Sequence, residues 1–239
     1  MATARAFETR SYRGRPWRAV EAPPQIATRR LTTSLARQQL LEQMLDTQSK
    51  APVPAAAAHL HYLAATPYRF RPRHASRFRA PGARGIWYGA GELSVAVTEA
   101  GYWRWRFWRQ SPASKRPDNA ILLTAIRGRI NTQALVDLTA PPLNADRAKW
   151  LENPPYPQTT ALGAAAAKAG VQVIRYESLR ALQLLDRAGC ACYAVLAPAA
   201  FAGNGIEAKS ERNFAVCLHG GGADIMATAG PERYELLIN

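Results

Sequence analysis

Three residues at equal spacing have side chains that suit one kind of ligand. Arg77, Tyr88 and Glu99 follow one another at intervals of eleven positions, in a stretch dense in aromatic and basic residues. A guanidinium pairs with phosphate, an aromatic ring stacks on a flat heterocycle, and a carboxylate stabilises the positive charge that develops when a glycosidic bond breaks. NAD+ carries phosphates, a flat cationic ring and such a bond, so it fits this set of side chains.

Glu99 is the candidate for the bond-breaking step. The nicotinamide leaving group is already cationic and needs no general acid, so the difficult part is the oxocarbenium-like charge on the ribose. A carboxylate beside that carbon stabilises this charge and can orient or deprotonate the acceptor. We therefore predict that Glu99 is catalytic.

The other candidates would bind the ligand. An arginine of this basic stretch is predicted to pair with the pyrophosphate. The candidates are Arg77, with Arg69 as the second choice, and the competing Arg71, Arg73 and Arg79. Tyr88 is predicted to stack on the nicotinamide ring or to hold its edge. Tyr68 is a further pocket candidate. The neighbouring Trp87 would point to the opposite face if this segment is a strand.

Several motifs in this order resemble the RES domain family, which is named for an Arg, a Glu and a Ser. The resemblance covers roughly residues 58–202, and its motifs are ATPYRFRP at 65–72, SRFR at 76–79, GIWYGA at 85–90, AVTE at 96–99, IRYESLR at 174–180 and CYAVL at 192–196. It marks Arg77 and Glu99 as two of the named residues and Ser178 as the third. The resemblance implies that Ser178 contacts the ribose or supports Glu99.

The resemblance also implies a fold, an activity and a partner. RES proteins are toxins of bacterial toxin–antitoxin pairs, with a fold like that of ADP-ribosyltransferases and an activity that consumes NAD+. NAD+ is then a substrate that is cleaved at the nicotinamide–ribose bond and depleted, with water or phosphate as the acceptor, and no metal is expected. The alternative is a mono-ADP-ribosyltransferase that modifies a protein acceptor. The expected partner is an Xre-type helix-turn-helix antitoxin whose acidic segment covers the NAD+ pocket.

The charge distribution points to an anionic partner. Residues 1–117 hold 20 Lys and Arg but only 6 Asp and Glu, whereas residues 118–239 hold 11 of each. A surplus of arginine suits a dinucleotide, an acidic protein segment or nucleic acid. Aromatic residues among arginines also suit single-stranded nucleic acid, which is the third alternative. Glu92 and Glu99 interrupt the basic stretch, so we expect no direct nucleic-acid binding.

Other classes of site find little support in the sequence. The odd count of three cysteines argues against a disulfide framework and favours the cytoplasm, and no apolar run is long enough to cross a membrane. His59 and His61 would lie on different faces of a helix, so they are not expected to bind a metal. The HGGG sequence at 219–222 lacks an accompanying GxSxG motif and is predicted to be a turn.

The chain is predicted to have three parts. Residues 1–28 have no periodicity and are predicted to be a flexible basic tail. Residues 29–57 are predicted to be a helical extension, because the leucines of 29–48 form one apolar stripe that would cap the core or contact a partner. Residues 58–239 are predicted to be the RES catalytic domain.

The predicted elements do not follow a regular βαβ repeat. We expect helices at 55–65, 92–103 and 156–169, short strands and loops over 68–90, and strands near 119–126, 136–138, 171–176, 191–197, 213–218 and 233–238. This mixture predicts a mixed α/β (α+β) fold, with a core of short strands and helices and an N-terminal helical extension.

Overall fold

A computed structural model describes residues 7–21, 51–111 and 115–238, together with positions 34, 36, 37, 40, 41 and 44. The described strands are β1 (Arg10–Gly14), β2 (Trp17–Glu21), β3 (Trp87–Ala90), β4 (Ile121–Asp137), β5 (Val173–Glu177), β6 (Ala191–Val195), β7 (Phe201–Ile206), β8 (Arg212–His219), β9 (Gly222–Ala227) and β10 (Arg233–Leu237). The helices are α1 (Tyr62–Arg69), α2 (Leu93–Arg109), α3 (Arg147–Trp150), α4 (Pro157–Lys168) and α5 (Leu179–Leu185). The predicted mixed α+β class is confirmed.

Strand β4 organises the sheet. It is 17 residues long and pairs with β1, β2, β5, β7 and β8 along its length. Strand β4 is longer than each of its partner strands, so different partners pair with different segments of it. The two strands predicted near 119–126 and 136–138 are the two ends of this one continuous strand.

Five strands pair with one another in a ring, and one of these pairings is very short. The ring runs β4–β2–β3–β6–β5 and returns to β4 through the parallel β4–β5 pairing. Strands β2 and β3 share only one residue pair, Trp17 with Ala90. The two strands separate beyond this pair, and this separation leaves room for a cavity.

Side chains alternate between the two faces of β3, as a strand requires. Trp87 is fully buried in an apolar cluster with Tyr68 and Phe201, whereas Tyr88 packs against the larger core cluster on the other face. The prediction that Trp87 and Tyr88 point in opposite directions is confirmed.

Helix α2 packs tightly across β9 and β10. A Cβ atom at Gly101 would lie 2.6 Å from Ile225 Cδ1, so glycine allows the close approach. Val95, Val97 and Tyr102 are buried beside it. The opposite side of the helix carries Glu99 and faces the cavity.

The predicted tail and helices near the N-terminus need correction. Residues 10–14 and 17–21 are strands of the central sheet, so the prediction of a flexible tail over 1–28 is wrong there. The predicted helix at 29–48 lies mostly outside the described residues, although positions 36, 37, 40, 41 and 44 are helical. The helix predicted at 55–65 is instead a short 3-10 turn, Ala55–Ala57, followed by α1.

The rest of the domain follows the prediction more closely. Helices α2 and α4 and strands β5, β6, β8 and β10 occur where they were expected. Helix α5 and strands β7 and β9 were not predicted. The HGGG segment is the turn between β8 and β9, as predicted.

Candidate active site

A cavity of about 910 Å³ opens between β2, β3 and α2. This volume is within the range of roughly 300–1,000 Å³ that is common for ligand pockets. Arg77, Tyr88 and Glu99 all line it, together with Tyr156, Tyr176 and Cys192. Folding therefore brings the three equally spaced residues of the sequence to one cavity.

Ser178 holds the carboxylate of Glu99. The Ser178 hydroxyl donates a hydrogen bond of 2.7 Å to Glu99 Oε1, from the start of α5 to the middle of α2. The same oxygen accepts a hydrogen bond of 3.1 Å from the backbone N–H of Ala181, so Ser178 is also the N-cap of α5. Its proton is thereby directed at Glu99, whose second oxygen is left for other partners.

Ser178 is fully buried and is not among the residues that line the cavity. The hydrogen bond to Glu99 fits the supporting role that the resemblance implies, and the buried position of the hydroxyl keeps it away from the cavity surface where a ribose would lie.

Tyr88 connects β3 to the segment that carries Arg77. Its hydroxyl lies 2.9 Å from Ser76 Oγ and accepts a hydrogen bond of 3.2 Å from the Phe78 N–H. Burial raises the pKa of Tyr88, so the phenol stays protonated at neutral pH. These bonds fix the ring of Tyr88 and the backbone on both sides of Arg77.

Arg77 is held in place by backbone carbonyls and aromatic rings. Its Nη1 donates to the carbonyl oxygens of Trp150 at 2.6 Å and of Glu152 at 3.1 Å. The guanidinium carbon lies 4.8 Å from the centre of the Tyr156 ring and 5.9 Å from that of Tyr176. No carboxylate among the described residues forms an ion pair with Arg77, so its charge faces the cavity uncompensated.

Arg18 is a cavity residue that the sequence analysis missed. It lies on β2, where the strand separates from β3, and it donates a hydrogen bond of 3.0 Å to the backbone oxygen of Tyr88. Burial lowers its pKa to about 10, and its Nε atom has no hydrogen-bond partner among the described residues. A half-buried cation without a carboxylate partner is costly, and an anionic ligand would offset that cost. Its position within an aperiodic, Arg-rich segment gave no signal in the sequence.

Arg180 is the second residue that was missed. It is only 3% exposed, yet it lines the cavity, and its guanidinium lies 3.9 Å from the centre of the Tyr102 ring. Both of its terminal nitrogens donate to Asn153 Oδ1 at 3.2 Å. The signal was present in the sequence, because Arg180 belongs to the same motif as Ser178.

The cavity as a whole is basic. The described residues that line it include five arginines and two glutamates. Arg104 and Glu21 form an ion pair with each other, so the remaining arginines outnumber Glu99. A polyanionic ligand would balance this charge.

Two predicted ligand contacts lie elsewhere. Tyr68 is buried in the core and donates its hydroxyl to the Val195 carbonyl at 3.0 Å. Arg69 donates to the Ala51 carbonyl at 2.6 Å. Neither lines the cavity, so the predicted pocket role of Tyr68 and the predicted phosphate contact of Arg69 are not supported by their positions.

The buried thiol beside Glu99 is poorly suited to nucleophilic attack. Burial raises the pKa of Cys192 well above its ordinary value, and the charge of Glu99 raises it further. The thiol therefore stays protonated at neutral pH, and the thiolate that nucleophilic attack requires does not form.

Two kinds of feature are absent from the described part of the chain. No group of three or more His, Cys, Asp or Glu side chains is arranged there to hold a metal ion. No helix in the same residues is both long and apolar enough to cross a membrane.

Comparison with known proteins identifies the family. The RES domain profile matches residues 52–215, a segment that includes Arg77, Tyr88, Glu99 and Ser178. The chain is also similar to a chain in the crystal structure of the M. tuberculosis MbcT–MbcA toxin–antitoxin complex, with 11% sequence identity, a TM-score of 0.48 and coverage of 87% of each chain. No curated protein shows significant sequence similarity. Because the profile match covers more than half of its length, the chain belongs to the RES domain family.

Proposed function

We propose that this chain is the toxin of a toxin–antitoxin pair and that it cleaves the nicotinamide–ribose bond of NAD+ in the cytoplasm. The observation that supports this most directly is the carboxylate of Glu99, held by the buried Ser178 hydroxyl at the wall of an arginine-lined cavity. Membership of the RES domain family supports the same assignment.

In the proposed reaction, the bond between ribose C1′ and the nicotinamide nitrogen breaks. Its electron pair moves to the ring nitrogen, so nicotinamide leaves as a neutral molecule and positive charge develops on the ribose. The carboxylate of Glu99 stabilises that charge. A water oxygen then bonds to C1′, and Glu99 accepts the proton that the water loses and passes it to solvent.

The arginines would bind the phosphates during this step. Arg77 is held at one side of the cavity by carbonyl groups and aromatic rings, and Arg18 lies at the separation of β2 and β3. Guanidinium groups match phosphate oxygens in a bidentate fork, which lysine cannot reproduce. Tyr88, whose hydroxyl is already bonded, would contribute its ring to the nicotinamide end.

Mass spectrometry of the products tests this proposal. Purified protein incubated with NAD+ should release nicotinamide, and Glu99→Gln should lower the rate by about 100-fold or more, because the carboxylate charge is lost. Glu235→Gln, at an exposed position of β10, is the matched control and should keep the wild-type rate. Nicotinamide release by Glu99→Gln at the wild-type rate would reject the role of Glu99.

A second experiment separates hydrolysis from transfer to a protein. Labelled NAD+ is incubated with the enzyme alone and then with cell lysate. ADP-ribose released by the enzyme alone supports NAD+ hydrolysis. Label on one protein band, with little turnover in its absence, would replace this proposal with a mono-ADP-ribosyltransferase.

The proposed partner is a helix-turn-helix antitoxin of the Xre type that covers the cavity with an acidic segment. The surplus of arginine in the cavity lining supports an acidic partner. Phe107 is 66% exposed at the same cavity and could be covered by an apolar side chain of that segment.

A further inference from the structure

One face of α2 extends the cavity away from Glu99. Trp103, Arg106, Phe107 and Gln110 follow Glu99 by four, seven, eight and eleven positions, and all of them line the same cavity. Residues at this spacing lie on one face of a helix. The helical rise places Phe107 about 12 Å along the axis from Glu99. The cavity is therefore longer than the bond-breaking site alone requires.

Two large aromatic side chains on this face are open to solvent. Trp103 is 40% exposed and Phe107 is 66% exposed, although both belong to the lining of the cavity. The proposed cleavage step uses neither of them. Their rings offer flat apolar surface to a ligand that already occupies the Glu99 end.

Two cations lie beside the first of these rings. The guanidinium carbons of Arg106 and Arg180 are 5.8 Å and 5.9 Å from the centre of the Trp103 ring. Arg106 also donates to the Tyr102 hydroxyl at 3.1 Å. Neither arginine forms an ion pair with a carboxylate in the part of the chain that the structure describes. An anion next to an aromatic group would fit this arrangement.

We propose that Trp103 and Phe107 form the subsite for the adenine base of NAD+, with Arg106 and Arg180 facing its phosphates. Along α2 the cavity runs from the carboxylate of Glu99 past Trp103 and Arg106 to Phe107, so one cavity offers a carboxylate, cations and exposed rings to the cleavable bond, the phosphates and the adenine of NAD+. A base stacks on an aromatic side chain through its π-face, which is what these two rings offer. This inference rests on the proposed function and adds a determinant of substrate size to it.

Cleavage of two substrates tests the subsite. NAD+ and nicotinamide mononucleotide share the cleavable bond, but only NAD+ carries adenine. In Trp103→Ala and Phe107→Ala, the ratio of kcat/KM for NAD+ to that for the mononucleotide should fall about tenfold, mainly through KM for NAD+. Phe107 is the more exposed of the two, so the Phe107→Ala variant is expected to fold. It keeps the test valid if Trp103→Ala misfolds. Tyr62→Ala removes a ring that is 53% exposed outside the cavity and should keep the wild-type ratio.

A wild-type ratio in a folded Phe107→Ala variant would overturn the adenine subsite. A binding measurement decides the question without catalysis: calorimetric titration with ADP-ribose should show affinity about tenfold weaker in either variant than in the wild type. Wild-type protein that binds ADP-ribose no more tightly than ribose 5-phosphate would also overturn the subsite. Failure to release nicotinamide from either substrate would instead count against the proposed function, and the titration would still decide the subsite.

Discussion

The hydroxyl of Ser178 makes two hydrogen bonds, and its partners determine in which one it is the donor. The Ala181 N–H can only donate and the Glu99 carboxylate can only accept, so the serine proton must point to Glu99. One buried oxygen thus caps α5 and orients the proposed catalytic carboxylate. The motif in the sequence singled out Ser178, but only the fold shows which of its two implied roles the position permits.

Ser178→Ala should therefore affect both rate and stability. Loss of the donor frees Glu99 to adopt other orientations, and we expect kcat for NAD+ cleavage to fall at least about tenfold. Loss of the N-cap should lower the free energy of unfolding by about 1 kcal/mol. Steady-state kinetics and denaturant unfolding measure the two effects separately. Ser178→Thr keeps both the donor and the cap, and its failure to retain more activity than Ser178→Ala would contradict this role.

At the scale of elements, regular segments were predicted well and irregular ones poorly. Helices α2 and α4 carry periodic or Ala-rich sequences, and β5, β6 and β8 are apolar, so each has a local signal. Strands β1 and β2 have the sequences RSYRG and WRAVE, whose charged residues hide the strand pattern. These segments are strands because they pair with β4, and the paired residues are more than 100 positions apart in the chain.

The contact between α4 and the segment that carries Arg77 leads to a prediction. Gly163 on α4 lies against the Phe78 backbone, and a Cβ atom there would overlap the Phe78 carbonyl oxygen. Gly163→Ala should push the helix away from Arg77 and Tyr88. Although alanine favours helices, we expect a net destabilisation of about 1–3 kcal/mol, because backbone atoms cannot move aside as a side chain does.

Thermal unfolding of the variant, together with its KM for NAD+, checks this expectation. Gly220→Ala is the control, because a Cβ atom at Gly220 meets nothing within 4 Å. Equal stability of the two variants would contradict the close packing of α4 against the Phe78 backbone.

At the scale of the whole molecule, part of the charge surplus of the N-terminal half comes together at one cavity. Arg18 and Arg77 come from distant parts of that half, and Arg180 joins them there from the C-terminal half. The sequence predicted the anionic partner from the amount of charge. It could not predict Arg18 as a member of the site, because the ring of strands that places it depends on long-range pairing.

This concentration of charge predicts that salt weakens the complex with the antitoxin. An acidic segment seated at the cavity is screened by ions, so affinity should fall about tenfold or more between roughly 0.05 M and 0.5 M salt. Calorimetry at several salt concentrations measures this dependence. Arg106→Gln should flatten it, whereas Arg212→Gln, at an exposed position of β8 outside the cavity, should not. An affinity that does not change with salt would rule out the electrostatic part of the proposed recognition.

Strand β2 forms one wall of the cavity, yet it precedes the segment that matches the family. A protein cut down to that segment would keep the arginine, glutamate and serine that name the family, but it would expose the β4 edge that β2 covers. Relatives can therefore share the three named residues and still enclose their ligands differently. Diversity in substrate or inhibitor would then arise from chain that a family profile does not cover.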